Sequence, residues 1–133
     1  MGRASVLLAD DHKEFLGVVA RHLEPHFDVI RTVSNGKAML DEAVRLEPDV
    51  VVLDISMPVL NGIEAARKLR ATGSRAKIVF LTVHADQDYV RAALGAGAVG
   101  YVLKSELASD LLPCLRQADS ASPFVSPAIA WES

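Results

Sequence analysis

This 133-residue chain predicts an α/β domain: a five-stranded parallel sheet of strand order 2-1-3-4-5, covered on both faces by helices in a three-layer αβα arrangement. Three observations carry that expectation. Short apolar runs alternate with longer segments of helical period, the pattern of βα units. The central run, Val50-Val51-Val52-Leu53, is apolar throughout, as in a parallel strand buried on both faces. Right-handed crossovers then leave few windings, and 2-1-3-4-5 is the commonest at this length.

Taken in order, Val6-Leu7-Leu8-Ala9 is a buried strand ended by two acids. From His12 to about Glu24, Phe15, Val18, Val19 and Leu23 recur at helical spacing, and Pro25 stops the helix. Phe27 to Val33 is the second strand. Ser34-Asn35-Gly36 then opens a helix carrying Ala38, Met39, Ala43, Val44 and Leu46, which Pro48 ends. Val50 to Leu53 is the third strand, and Asn61-Gly62 opens a helix containing Ile63, Ala66 and Leu69. Ile78 to Leu81 is the fourth strand. Asp86 to Leu94 is a helix with Gly95 as its C-cap. Val99 to Leu103 is the fifth strand, and Ser105 caps a last helix to about Ala118, bent by Pro113. The domain is set at 4–118. Residues 119–133, rich in Ser, Pro and Ala with scattered Phe124, Ile129 and Trp131, read as a linker or a docked terminal segment.

Composition narrows the function classes. Half the residues are apolar and 23% are charged, the balance of a globular protein. A net charge of −3 argues against general affinity for nucleic acid or anionic membrane. The single Cys114 has no bridging partner and reads as a small buried or half-buried apolar residue. No apolar run approaches the roughly 20 residues of a membrane span, and the N-terminus leads into a strand-like run, so the cytoplasm is expected.

The chemistry converges at the carboxyl ends of the strands, where open α/β sheets bind ligands at the point of reversed winding. Strand 1 ends in Asp10-Asp11 and strand 3 in Asp54. On neighbouring strands, about 4.8 Å apart, these acids crowd, which is costly without a neutralising cation. Hard carboxylate oxygens suit Mg²⁺ better than zinc or copper. Thr82 ends strand 4 and Lys104 ends strand 5 on the same edge, offering a hydroxyl and an ammonium to an anion. A single acid there would read as a turn residue, and Lys104 or Thr82 alone as ordinary surface and strand residues.

In order and spacing, Asp10-Asp11, the stretch from Asp54-Ile55-Ser56-Met57-Pro58 to Asn61-Gly62, Thr82, and Gly95-Ala96-Gly97 through Gly100-Tyr101-Val102-Leu103-Lys104 carry a resemblance. From about Val6 to Ala118 the chain resembles the receiver domain of bacterial two-component response regulators, a flavodoxin-like (CheY-like) fold. Asp-Asp-His, Gly-Tyr before the lysine, and Phe124-Val125-Ser126-Pro127 most resemble the NarL/FixJ subfamily, whose receivers usually precede a LuxR-type DNA-binding domain.

The resemblance implies specific roles. Asp54 accepts a phosphoryl group from a sensor histidine kinase. Asp11, Asp54 and the backbone carbonyl of Ser56 hold Mg²⁺, and Asp10 places a ligand water. Lys104 and Thr82 bind the phosphoryl oxygens after transfer. Thr82 is drawn toward the phosphoryl group and Tyr101 turns inward, switching the face of the fourth helix, fifth strand and fifth helix. Tyr101 otherwise reads as a half-buried residue at the sheet edge. Ser56 and His84 stand where the family tunes phosphoryl loss, although His84 alone reads as an exposed loop residue. Most receivers have proline after the lysine in a cis peptide; here Ser105 follows, and a cis bond would cost about 2.5–4 kcal/mol.

The implied protein is a phosphoacceptor switch and not an enzyme in the ordinary sense. Its output is transcription through a DNA-binding domain absent from the tail; DNA contact then belongs to that domain. The fourth and fifth helices offer a homodimer face. Two other readings stand beside it. One is an Asp-nucleophile phosphatase of the haloacid-dehalogenase type, which needs Asp where Ser56 stands and a cap region. The other is a stand-alone receiver or interaction module acting through protein contacts.

Overall fold

The computed structural model describes residues 2–131, so the last two residues of the expected tail, 132 and 133, lie outside them. Five βα units follow in order: β1 Ser5–Ala9, α1 Lys13–Leu23, β2 Asp28–Val33, α2 Gly36–Leu46, β3 Val50–Leu53, α3 Gly62–Ala71, β4 Lys77–Thr82, α4 Gln87–Gly95, β5 Gly100–Leu103 and α5 Leu107–Arg116. The strands lie parallel in the order β2-β1-β3-β4-β5, as expected, and a short sixth strand, β6 Phe124–Val125, extends the sheet beyond β5.

Alternation along each strand divides the core into two layers. Leu7, Val51, Leu53, Ile78, Phe80 and Tyr101 face the layer under α2, α3 and α4. Val6, Leu8, Val50, Val52, Val79, Leu81 and Val102 face the layer under α1 and α5. The helices present matching stripes, Leu16, Val19 and Leu23 on α1 and Leu111, Cys114 and Leu115 on α5. This two-sided burial explains why β3 and β5 have no exposed residue. Asn35 and Asn61 start α2 and α3 by accepting hydrogen bonds from the backbone N–H of Ala38 and Glu64.

Three local features differ from the sequence expectation. Gly95 is the last residue of α4 and not its cap. The chain turns at Gly97, φ +97°, where the N–H groups of Gly97 and Ala98 bond the carbonyls of Leu94 and Ala93. Ser105 does not cap the last helix. A 3₁₀ turn over Lys104–Glu106 comes first, so Glu106 precedes α5 and no side chain caps it. Among the described residues the sheet has six strands, because the segment after α5 returns alongside β5.

That returning segment is tied down at several points. Phe124 N–H bonds Val99 O, and Ser126 N–H bonds Tyr101 O at 2.9 Å. Ser126 is fully buried, and its hydroxyl accepts from the N–H of Leu103 at 3.1 Å. Farther on, the Gln87 amide donates to Ala130 O, and the Arg91 guanidinium lies 5.9 Å from the Trp131 ring.

Candidate functional site at the carboxyl edge of the sheet

The winding reverses between β1 and β3, and both strands end in acids there. Ala9 pairs with Leu53, so Asp10 and Asp54 are the next residues on adjacent strands, and Asp54 N–H bonds Ala9 O. Both acids are buried. Each already has a backbone donor: His12 N–H to Asp10 Oδ1 at 2.9 Å, and Ile55 N–H to Asp54 Oδ1 at 2.7 Å. Gly62 brings the start of α3 against this corner. Its N–H bonds Ile55 O, and a Cβ there would overlap the carbonyl oxygen of Asp54.

Lys104 joins the two acids. From the end of β5 its Nζ reaches Asp10 Oδ2 at 2.7 Å and Asp54 Oδ2 at 3.1 Å. Burial by itself would lower the lysine pKa, but the hydrogen bonds and charges of the two carboxylates outweigh it and hold the ammonium above its usual value. Lys104 is therefore fully charged at neutral pH. Its side chain is only 12% exposed, and its Nζ stands 4.6 Å from the centroid of the Phe15 ring.

Asp11 is more exposed and belongs to a second grouping. Its carboxylate, that of Asp10 and the imidazole of His12 gather within 4.8 Å, with His12 Nδ1 at 3.2 Å from an oxygen of each acid. The sequence groups Asp54 with Asp10 and Asp11 as metal ligands; in the structure His12 completes the close group and Asp54 connects to Asp10 through Lys104. The donor set fits a hard divalent cation all the same. Asp10 and Asp54 share one ammonium and Asp11 adds a third carboxylate beside Asp10, leaving an excess of two negative charges, and the available atoms are predominantly oxygens. Asp11 and Ser56 also line one open groove of about 700 Å³, which leads along Met57, Arg67 and Tyr89 and gives water access to this edge.

The remaining expected residues meet around His84. The Ser56 hydroxyl lies 2.8 Å from His84 Nε2, and the His84 ring stacks on Tyr89 at 4.2 Å between centroids. Thr82 is fully buried at the end of β4, and its Oγ1 accepts weakly from His84 N–H at 3.4 Å. Tyr101 is fully buried, not half-buried at the edge, and its hydroxyl donates to His84 O at 2.7 Å. Its phenol pKa is driven up, first by burial and then by the negative charge of Asp54. The ring already points inward, beside Phe80. His84 is thus a junction between the loops after β3 and β4, which no spacing in the sequence could announce. No described peptide bond is cis, so Lys104–Ser105 is trans.

Comparison with known proteins agrees with this geometry. Residues 6–116 match the family described as the response regulator receiver domain. The transcriptional regulatory protein DegU of Brevibacillus brevis is 32% identical over 129 residues, covering 96% of this chain and 55% of DegU. The nitrate/nitrite response regulator protein NarL of Escherichia coli (strain K12) is 36% identical over 128 residues, covering 95% of this chain and 59% of NarL. Among solved structures, a LuxR-family two-component response regulator from Aurantimonas sp. SI85-9A1 superposes with a TM-score of 0.90 at 30% identity, covering 97% of this chain and 94% of that one. The chain spans little more than half the length of the two curated relatives.

Proposed function

This chain belongs to the response regulator receiver domain family, and from that premise we propose that it is a Mg²⁺-dependent phosphorylation switch with Asp54 as phosphoacceptor. The observation that carries the reading is the Lys104 ammonium shared between buried Asp10 and Asp54 at the winding reversal. A cation held there by two acids is placed to follow the charge when one acid becomes an acyl phosphate.

In the proposed reaction a carboxylate oxygen of Asp54 attacks the phosphorus of a phosphohistidine on a sensor kinase. The new O–P bond forms as the P–N bond breaks, and the electron pair leaves with the imidazole. Asp11, Asp54 and the Ser56 carbonyl would hold Mg²⁺, with Asp10 beside them. Bound there, the ion would supply positive charge against the clustered acids and the transferring oxygens. Lys104 leaves Asp54 Oδ2 for a phosphoryl oxygen. Thr82 turns its hydroxyl the same way, giving up its long contact with His84 N–H. The His84 backbone then shifts, and Tyr101, bonded to His84 O, carries the change to the α4–β5–α5 face. Ser56 and His84, paired over the groove, govern how readily water reaches the phosphoryl group.

The chain is on this reading a self-limited phosphoacceptor and not a turnover enzyme. The receiver occupies residues 4–118. Because relatives such as NarL and DegU carry regulatory names and are longer, the proposed output is transcription control through a DNA-binding domain outside this chain. The setting is the cytoplasm, and the α4–α5 face is the candidate homodimer surface. Purified protein with Mg²⁺ and acetyl phosphate is expected to gain one acid-labile phosphoryl group, and Asp54→Asn none. Undiminished labelling in Asp54→Asn would overturn the assignment, and multiple turnovers of a generic phosphate ester would favour a phosphatase.

A further inference from the structure

We propose that Phe15 is a positioning residue for Lys104, its ring fixing the ammonium against the Asp10–Asp54 corner; this deepens the phosphorylation reading and rests on it. Phe15 lies in the first turn of α1, immediately after the Asp10-Asp11-His12 loop, so the segment that brings the acids also brings the ring. Lys104 Nζ lies 4.6 Å from its centroid, within the range of a cation held over an aromatic face. The lysine is mostly withdrawn from water. Low hydration strengthens the attraction between ring and ammonium.

The two carboxylates cannot do this alone. They bind Lys104 only while Asp54 carries its present charge and geometry, and phosphorylation of Asp54 replaces one of them. Lysine is a point charge on a flexible four-carbon stem, free to swing into solvent when a partner is lost. The ring is uncharged and stays beside the ammonium in both states. It leaves the lysine free to exchange a carboxylate oxygen for a phosphoryl oxygen within the same site, without a search through solvent. A leucine at this position would fill similar space and offer the charge nothing.

The test compares the wild-type chain with Phe15→Leu and Phe15→Tyr, and with Phe15→Met should the leucine variant fold poorly. Side-chain NMR of Lys104 reads the contact directly: its ε protons should be shifted upfield by the ring in wild type and Phe15→Tyr, and not in Phe15→Leu. Beryllofluoride affinity in Mg²⁺ should fall roughly tenfold in Phe15→Leu and recover in Phe15→Tyr. Mg²⁺ affinity without the anion should be the same in all. An unshifted Lys104 in wild type, or Phe15→Leu binding beryllofluoride like wild type, overturns the proposal. So do equal losses in Leu and Tyr, which signal packing alone. If wild type binds no beryllofluoride, the phosphorylation reading itself fails, and the Lys104 shift still decides whether the ring holds the lysine.

Discussion

At the residue scale, two side chains sit in surroundings that make sharp demands. Val59, in the loop after Asp54, has φ +72° and is 78% exposed. A β-branched residue in the left-handed region is strained, and this one gains little burial in return. Val59→Gly is expected to raise unfolding free energy by about 1 kcal/mol in urea, after the entropy glycine adds to the unfolded chain; a loss would mean that the loop depends on the valine side chain. Cys114 is fully buried against Gly100, and burial raises its thiol from 9.0 to about 12. The folded state keeps a proton that the unfolded chain gives up. The thiol's contribution is therefore whole below pH 9.0 and is lost as pH climbs toward 12. In that window stability should fall by up to ~1.4 kcal/mol per pH unit from this group, so Cys114→Ala should show a shallower alkaline slope in denaturation series. A thiol reagent at pH 8 should leave the native protein unlabelled. The burial of Cys114 is what the sequence suggests for a lone cysteine with no bridging partner. The strain at Val59 was not, because backbone sign depends on the whole loop closing over Asp54.

At the element scale, the strands and helices followed from periodicity because each is buried on a defined face. The exceptions have local causes. Gly95 and Gly97 are two residues apart, and only the hydrogen bonds to Leu94 and Ala93 determine which one turns the chain. Ser105 looked like a cap until the 3₁₀ turn moved the start of α5 onward. β6 is two residues in a Ser- and Pro-rich stretch, too short for any period, and it exists because β5 offers an unpaired edge. Its hold depends on Ser126, whose hydroxyl is the partner of the buried Leu103 N–H. Ser126→Ala should cost about 1–3 kcal/mol, measured by denaturation, by stranding that donor one residue from Lys104. No loss would mean that water or a rearranged backbone replaces the hydroxyl. The same segment bonds Tyr101 O and reaches α4 through Gln87 and Arg91, so chain beyond β5 touches two of the three elements assigned to the switch.

At the scale of the whole molecule, function concentrates at one edge because parallel strands all end there. Asp10, Asp54, Thr82 and Lys104 were legible as a set for that reason: each is the first polar residue after, or the last within, an apolar strand. Which atoms meet was not legible. The lysine bridge, the His84 junction and the aromatic ring beside Lys104 depend on side-chain direction and on loops of different length. Those contacts turn an acid cluster into a site with a stated chemistry. Its central claim is that Asp54 forms an aspartyl phosphate. The most direct measurement is borohydride trapping after Mg²⁺ and acetyl phosphate, followed by peptide mass mapping, since reduction converts an aspartyl phosphate into homoserine. Homoserine at position 54 alone, absent without Mg²⁺, is the predicted result. Homoserine at another acid, or none from a protein that has taken up phosphate, would contradict it.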